Sequence, residues 1–142
     1  MDHTETREVT FTDRLCEATS AHDLDRIVEC FTDDYVNENP VHPARGFHGR
    51  EQVRRNWTQI FAAVPDLTVR VIRSDRVGET VWSEWEMSGT RPDGGMHLMR
   101  GVMLFGLAGE QARSMRLYLE PVDSAQTDID EAVRLQHQPA RP

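Results

Sequence analysis

The sequence predicts an α+β domain in which a curved, mostly antiparallel sheet packs on three N-terminal helices and encloses a cone-shaped cavity. Three observations carry this. Apolar residues recur at helical spacing through the first sixty or so positions. Four alternating stretches then follow one another, separated by turn signals. No repeat or linker divides the 142 residues, a length that one domain fills with a sizeable core. Helices first and a meander afterwards is the order of a sheet covered on one face.

Residues 10–18 read as the first helix, with Phe11, Leu15 and Cys16 among its apolar positions, broken by Ser20-Ala21-His22. Asp23 is placed to cap a second helix over 24–31, with Leu24, Ile27, Val28 and Phe31 on one face. A short strand over 35–39 stops at Pro40, and a loop punctuated by proline and glycine fills 41–49. The third helix begins at Arg50, carries Val53, Trp57, Ile60 and Phe61 on one stripe, and closes at Pro65-Asp66. Strands are expected over 67–75, 80–90, 97–107 and 113–122, with Arg91-Pro92-Asp93-Gly94-Gly95 the strongest turn between them. The domain is expected over 1–123, with a tail over 124–142 that holds a short helix at 129–136.

Composition excludes several functions. A net charge of −8 lacks the basic footprint that nucleic acid or an anionic membrane requires. All 16 basic residues are arginine, so Schiff-base chemistry on lysine and a Walker-type phosphate loop are excluded. Cys16 and Cys30 lie on expected helices among apolar neighbours and read as buried, reduced thiols. No Cys/His spacing fits a metal, and no organic cofactor site is visible. The polar N-terminus is unlike a signal peptide and no apolar run approaches the ~18 residues of a membrane span, so the expected location is the cytoplasm.

Strand parity selects the inward side chains. Tyr35, Asn37 and Asn39 share one face of the first strand, and Ser83, Trp85 and Met87 one face of another. His97, Met99, Gly101, Met103 and Phe105 share the next, and Met115, Leu117 and Leu119 the last, with Trp57 and Phe61 facing the sheet from the third helix. This wall of aromatics and methionines suits an apolar polycycle or folded chain; the plainer alternative is that these residues simply pack together. Asn37 and Asn39 bind a ligand carbonyl or hydroxyl, or else cap the strand end before Pro40. His97 is the inward histidine near the mouth and a natural acid or base, or else a solvated residue after the turn. His42 and His48 lie in the loop over the cavity, whereas His3, His22 and His137 read as surface residues. Glu120 shares an outer face with Arg116 and Tyr118 unless a bulge at Pro121 turns it into the mouth. Glu84 and Glu86 are expected on the outer face as solvated acids, whereas Trp82, exposed beside them, would mark a subunit interface.

The order of helix, Ala-His-Asp-Leu-Asp helix, Phe-Thr-Asp-Asp-Tyr-Val strand, Gly-Arg-Glu helix, Pro-Asp-Leu and four strands resembles the nuclear transport factor two-like superfamily over about residues 8–123. Within it, SnoaL-like polyketide cyclases, ketosteroid isomerases and limonene-epoxide hydrolases are most similar. The resemblance implies a cystatin-like α+β roll and a homodimer formed through the outer sheet face. It does not carry over the chemistry. The isomerase base falls on Asn39, its helix tyrosine on Leu15 and its buried aspartic acid on Met103. The last-strand aspartate of the cyclases and hydrolases falls on Leu117. The hydrolase arginine and aspartate fall on Trp85 and Met87, leaving its pocket asparagine, at Asn39.

The expectation is therefore a SnoaL-like enzyme that cyclises, isomerises or dehydrates a hydrophobic, polyketide-like carbonyl compound without a cofactor. Asn37 and Asn39 hold a carbonyl or enolate, and His97 or Glu120 moves the proton. The walls that fix the substrate are Tyr35, Trp57, Phe61, Trp85, Met87, Met99, Met103, Leu117 and Leu119. The alternative is a non-catalytic carrier of a hydrophobic metabolite. A pure dimerisation scaffold would lack a cavity above roughly 300 Å³.

Overall fold

The computed structural model describes residues 9–139. Helix α1 (Phe11–Ser20) starts at a capping box, in which the Thr10 hydroxyl accepts from Asp13 N and the Asp13 carboxylate accepts from Thr10 N. Helix α2 (Leu24–Glu29) starts at Asp23, whose carboxylate accepts from Arg26 N. Strand β1 (Phe31–Glu38) follows directly. A 3₁₀ turn (Pro43–Arg45) and a two-residue strand β2 (Phe47–His48) lead into α3 (Arg50–Ala63). The meander is β3 (Thr68–Val77), β4 (Thr80–Thr90), β5 (Met96–Ala108) and β6 (Gln111–Pro121), and α4 (Ile129–Gln136) closes the chain.

The six strands form one curled, unclosed sheet in the order β2-β1-β6-β5-β4-β3. All neighbours are antiparallel except β1 and β6, which run parallel and join the two ends of the domain. That junction corrects the expected second helix and first strand. Phe31 has the helical period of α2, but Ala112 N donates to Cys30 O at 2.8 Å and Phe31 pairs with Ala112, so the chain is strand four residues earlier than expected. Tertiary pairing overrides the local period. The polar residues 32–34 sit in a register irregularity between Phe31 and Val36.

Curling brings β5 and β6 very close at one point. A Cβ on Gly101 would lie 1.9 Å from the Tyr118 carbonyl oxygen, so only glycine fits there. Inside the curl, α1 packs Phe11 edge-on against Phe105 with ring centroids 4.8 Å apart. Leu15, Ile27, Phe31, Trp85 and Phe105 are buried around this contact. Toward α3 the packing is less complete, and a cavity remains.

Candidate functional site

The cavity holds about 330 Å³, within the range of small-molecule sites. Strand β1 supplies Phe31, Tyr35 and Asn37, and Asn39 follows just beyond its end. The inner faces of β4, β5 and β6 supply Met87, Met99, Met103, Met115, Leu117 and Leu119. Helix α3 contributes Val53, Asn56, Trp57 and Ile60, and the segment between β1 and α3 contributes Arg45 and Phe47. A void of about 30 Å³ lies deeper, against Leu15, Thr19 and Trp85, and shares Met87, Met103 and Met115 with the main cavity. Unbranched methionines can rotate to merge the two spaces around a larger ligand.

Polar groups are few and arranged with purpose. Asn37 Nδ2 donates to the Tyr35 hydroxyl oxygen at 2.9 Å and lies 3.7 Å from Met115 Sδ. Burial pushes the Tyr35 phenol well above its ordinary ionisation range, partly offset by that hydrogen bond, so Tyr35 stays neutral. A neutral hydroxyl both donates and accepts. A half-turn of the Asn37 amide would let Tyr35 donate to Oδ1 and turn the NH₂ group over. The pair can therefore present either an acceptor or a donor to the cavity. As described, Asn37 Oδ1 has no protein partner, yet no sealed side-chain oxygen or nitrogen among the described residues is unsatisfied, so this oxygen opens on the cavity.

Asn39 takes the capping role considered from sequence. Its Oδ1 accepts from His42 N at 3.2 Å, which caps the turn before the 3₁₀ segment, while its NH₂ group is left without a protein partner at the cavity wall. Among the described residues no carboxylate, histidine or cysteine lines the cavity, and Arg45 is the one charged lining residue. Among the described residues no group of three His, Cys, Asp or Glu side chains is placed to hold a metal ion.

The structure brings together Tyr35, Asn37, Asn39, Trp57, Met87, Met99, Met103, Leu117 and Leu119. It places four other expected site residues elsewhere. Trp85 points inward but is sealed in the core, its indole N–H donating to Ser83 Oγ at 2.7 Å and Ser83 donating to Met103 O. Phe61 faces the corner of α1 and α2, where it stacks on His22 with centroids 4.0 Å apart. His22 is accordingly half-buried, with Nε2 2.8 Å from Leu67 O, and is not the surface residue expected. His97 keeps the inward parity of Met99 but pairs with Gly89 beyond the cavity. There the turn after α3 fills the inner side, with Val64 Cγ1 2.3 Å from where a Gly89 Cβ would be. Glu120 stays on the outer face, since the register runs evenly through Pro121 opposite Met99 and no bulge occurs there. Its carboxylate instead meets His42 Nε2 at 2.7 Å. His3 lies outside the described residues.

Sequence reasoning missed Arg45, Phe47 and Asn56. Asn56 was legible, one turn after Val53 on the inner stripe of α3. Arg45 and Phe47 had no periodicity to reveal them. Two hollows of about 450 and 560 Å³ between α1 and β3 are larger than this cavity, but both end at Val9, where the described residues begin. The interior cavity, whose lining lies wholly within the described elements and away from Val9, is the better-defined site.

The model of the SnoaL-like domain family matches residues 12–115, which span α1 through the first half of β6. The chain belongs to the SnoaL-like family. No curated protein matches. Among solved structures, the SnoaL-like chain is similar to a protein assigned as a SnoaL-like polyketide cyclase from Jannaschia sp. CCS1, at 24% identity over 84% of this chain and 90% of that one, with a TM-score of 0.67. It is also similar to IdmH, assigned as a polyketide cyclase, from Streptomyces antibioticus, at 20% identity over 78% and 89% of the two chains and a TM-score of 0.68. A third is the epoxide hydrolase/cyclase-like enzyme SalBIII of pyran ring formation in salinomycin, at 22% identity over 78% and 88%, with a TM-score of 0.68. At these identities the likeness shows the fold, which hosts many chemistries.

Proposed function

We propose that this SnoaL-like domain binds an apolar, carbonyl-rich small molecule of polyketide type and promotes its cyclisation, isomerisation or dehydration by proton transfer, without a cofactor. The observation that carries the reading is the pair of amides, Asn37 and Asn39, each offering one free polar atom to an otherwise apolar cavity. Buried amides are costly unless something satisfies them, and a ligand carbonyl, enol or hydroxyl does so. Tyr35 acts as a positioning residue that fixes Asn37 from behind. With the carbonyl held and the chain folded against Trp57 and the methionines, an acidic carbon between two carbonyls needs only a weak base. Water at the mouth, or the His42–Glu120 pair beside it, fills that role.

A second reading, a carrier that returns its ligand unchanged, is favoured by one observation: among the described residues no carboxylate, histidine or cysteine lines the cavity. Hydrogen–deuterium exchange separates the two. With 2-acetonaphthone as a small ketone, the enzyme reading expects methyl-proton exchange about 10- to 100-fold faster than in buffer, followed by NMR, and its loss in Tyr35→Phe/Asn37→Leu. Binding without accelerated exchange selects the carrier. Absence of binding removes both readings.

A further inference from the structure

We propose that the cavity is built for an acid: an apolar, carbonyl-bearing ligand with a carboxylate at its mouth end, paired with Arg45. The inference rests on the proposed ligand-binding role of this cavity and specifies the substrate class.

Arg45 is the single charged residue of the lining among the described residues, in a chain whose net charge is −8. Its guanidinium makes no ion pair or side-chain hydrogen bond among the described residues. Most other described arginines are engaged, as in Arg50 with Asp33 at 2.8 Å and Arg116 with Glu38 at 2.9 Å. The acid that borders the same end of β6, Glu120, is already held by His42 and does not neutralise it.

Nor is the position an accident of a loose loop. Pro43 opens the 3₁₀ turn that Arg45 ends, and Arg45 N donates to His42 O at 2.9 Å. Next to it Gly46 packs so tightly on β1 that a Cβ would lie 3.1 Å from Asn37 O, and Phe47 then pairs with Asn37. The arginine backbone is thus tied to the strand that carries the amide site. A planar guanidinium at the rim and an amide further in match a molecule with a carboxylate at one end and a carbonyl along its body. An anion meets repulsion from the chain's net charge of −8 and attraction at this rim, which favours ligands long enough to span both groups.

The test uses two ligands of one shape, 2-naphthoate and its neutral analogue 2-acetonaphthone, titrated calorimetrically into the full chain. The wild type should bind 2-naphthoate about tenfold more tightly. Arg45→Gln should abolish that preference, and Arg45→Lys should retain part of it. Leu117→Trp, which fills the cavity, should abolish binding of both. Equal affinities in the wild type, or a preference that survives Arg45→Gln, would overturn the inference and leave the cavity reading standing. Binding that survives Leu117→Trp places the ligands elsewhere and overturns it as well. If neither ligand binds the wild type, the cavity reading falls and the inference falls with it.

Discussion

The Tyr35 hydroxyl, on a side chain with no exposed surface, accepts from Asn37 Nδ2, and this dependence sets what substitutions there will do. Asn37→Leu keeps the volume but strips the Tyr35 hydroxyl of its one partner among the described residues. A buried unsatisfied hydroxyl costs about 1–3 kcal/mol, so urea denaturation should show a loss of that size. In Tyr35→Phe/Asn37→Leu both polar partners are gone and most of the loss should be recovered. A stability as low as that of the single variant would show that Asn37 contributes by packing instead. Alkali probes the same residue. An unfolded tyrosine ionises near pH 10, while burial raises the folded Tyr35 phenol above this. Below about pH 10 both states are protonated and the contribution is intact. Above it the unfolded chain releases a proton that the folded chain keeps, and stability falls as pH rises. Since the chain has two tyrosines, Tyr118→Phe leaves Tyr35 as the sole reporter. Its tyrosinate absorbance should then appear together with unfolding rather than before it. Inward parity made both Tyr35 and Asn37 legible in the sequence. Their hydrogen bond was not, because adjacent same-face positions can equally face a ligand or each other.

At the scale of the element, the sheet owes its curl to positions where side chains are excluded. Gly101→Ala puts a Cβ into the backbone of β6, which has no flexible end to move aside. The expected cost is about 2–4 kcal/mol, read from the denaturant midpoint, together with weaker binding as β5 and β6 separate around Met99 and Met103. Gly78→Ala is the fitting control. It meets no neighbour and carries only the strain of a φ of 60° in the β3–β4 turn, for about 1 kcal/mol. The meander, α1, α3 and the Asp23 cap were legible because each has a period or a capping chemistry of its own. The parallel pairing of β1 with β6 and the two-residue β2 were not, since Phe31, Phe47 and His48 acquire strand geometry only from partners distant in sequence. The misplacement of His97 has the same origin. Parity gives the face of a side chain, and only the packed turn after α3 decides whether that face is open.

Across the whole molecule, the outer sheet face combines charge pairing with exposed apolar area. Glu86 bridges Arg70 at 3.1 Å and Arg100 at 2.8 Å, and these guanidiniums hold its carboxyl below the usual range, the Arg100 hydrogen bond most of all. Trp82 on the same face of β4 is 51% exposed. We propose homodimerisation through this face, as the resemblance implies. Trp82→Arg should then lower the sedimentation coefficient to that of a monomer while the cavity still binds 2-acetonaphthone. A monomeric wild type would refute this. Among the described residues no helix is long and apolar enough to cross a membrane.

The junction of β1 with β6 also has a kinetic consequence. Glu38 and Arg116, which bridge it, are 78 positions apart in the chain, whereas β3 to β6 join through successive short turns. Closing so long a loop is entropically slow, so the hairpins should assemble first and β1 dock onto them late. Because β1 carries Tyr35, Asn37 and the approach to Arg45, the binding site does not yet exist at the folding barrier. A saturating ligand should therefore slow unfolding and leave the refolding rate unchanged, displacing one limb of the chevron and not the other.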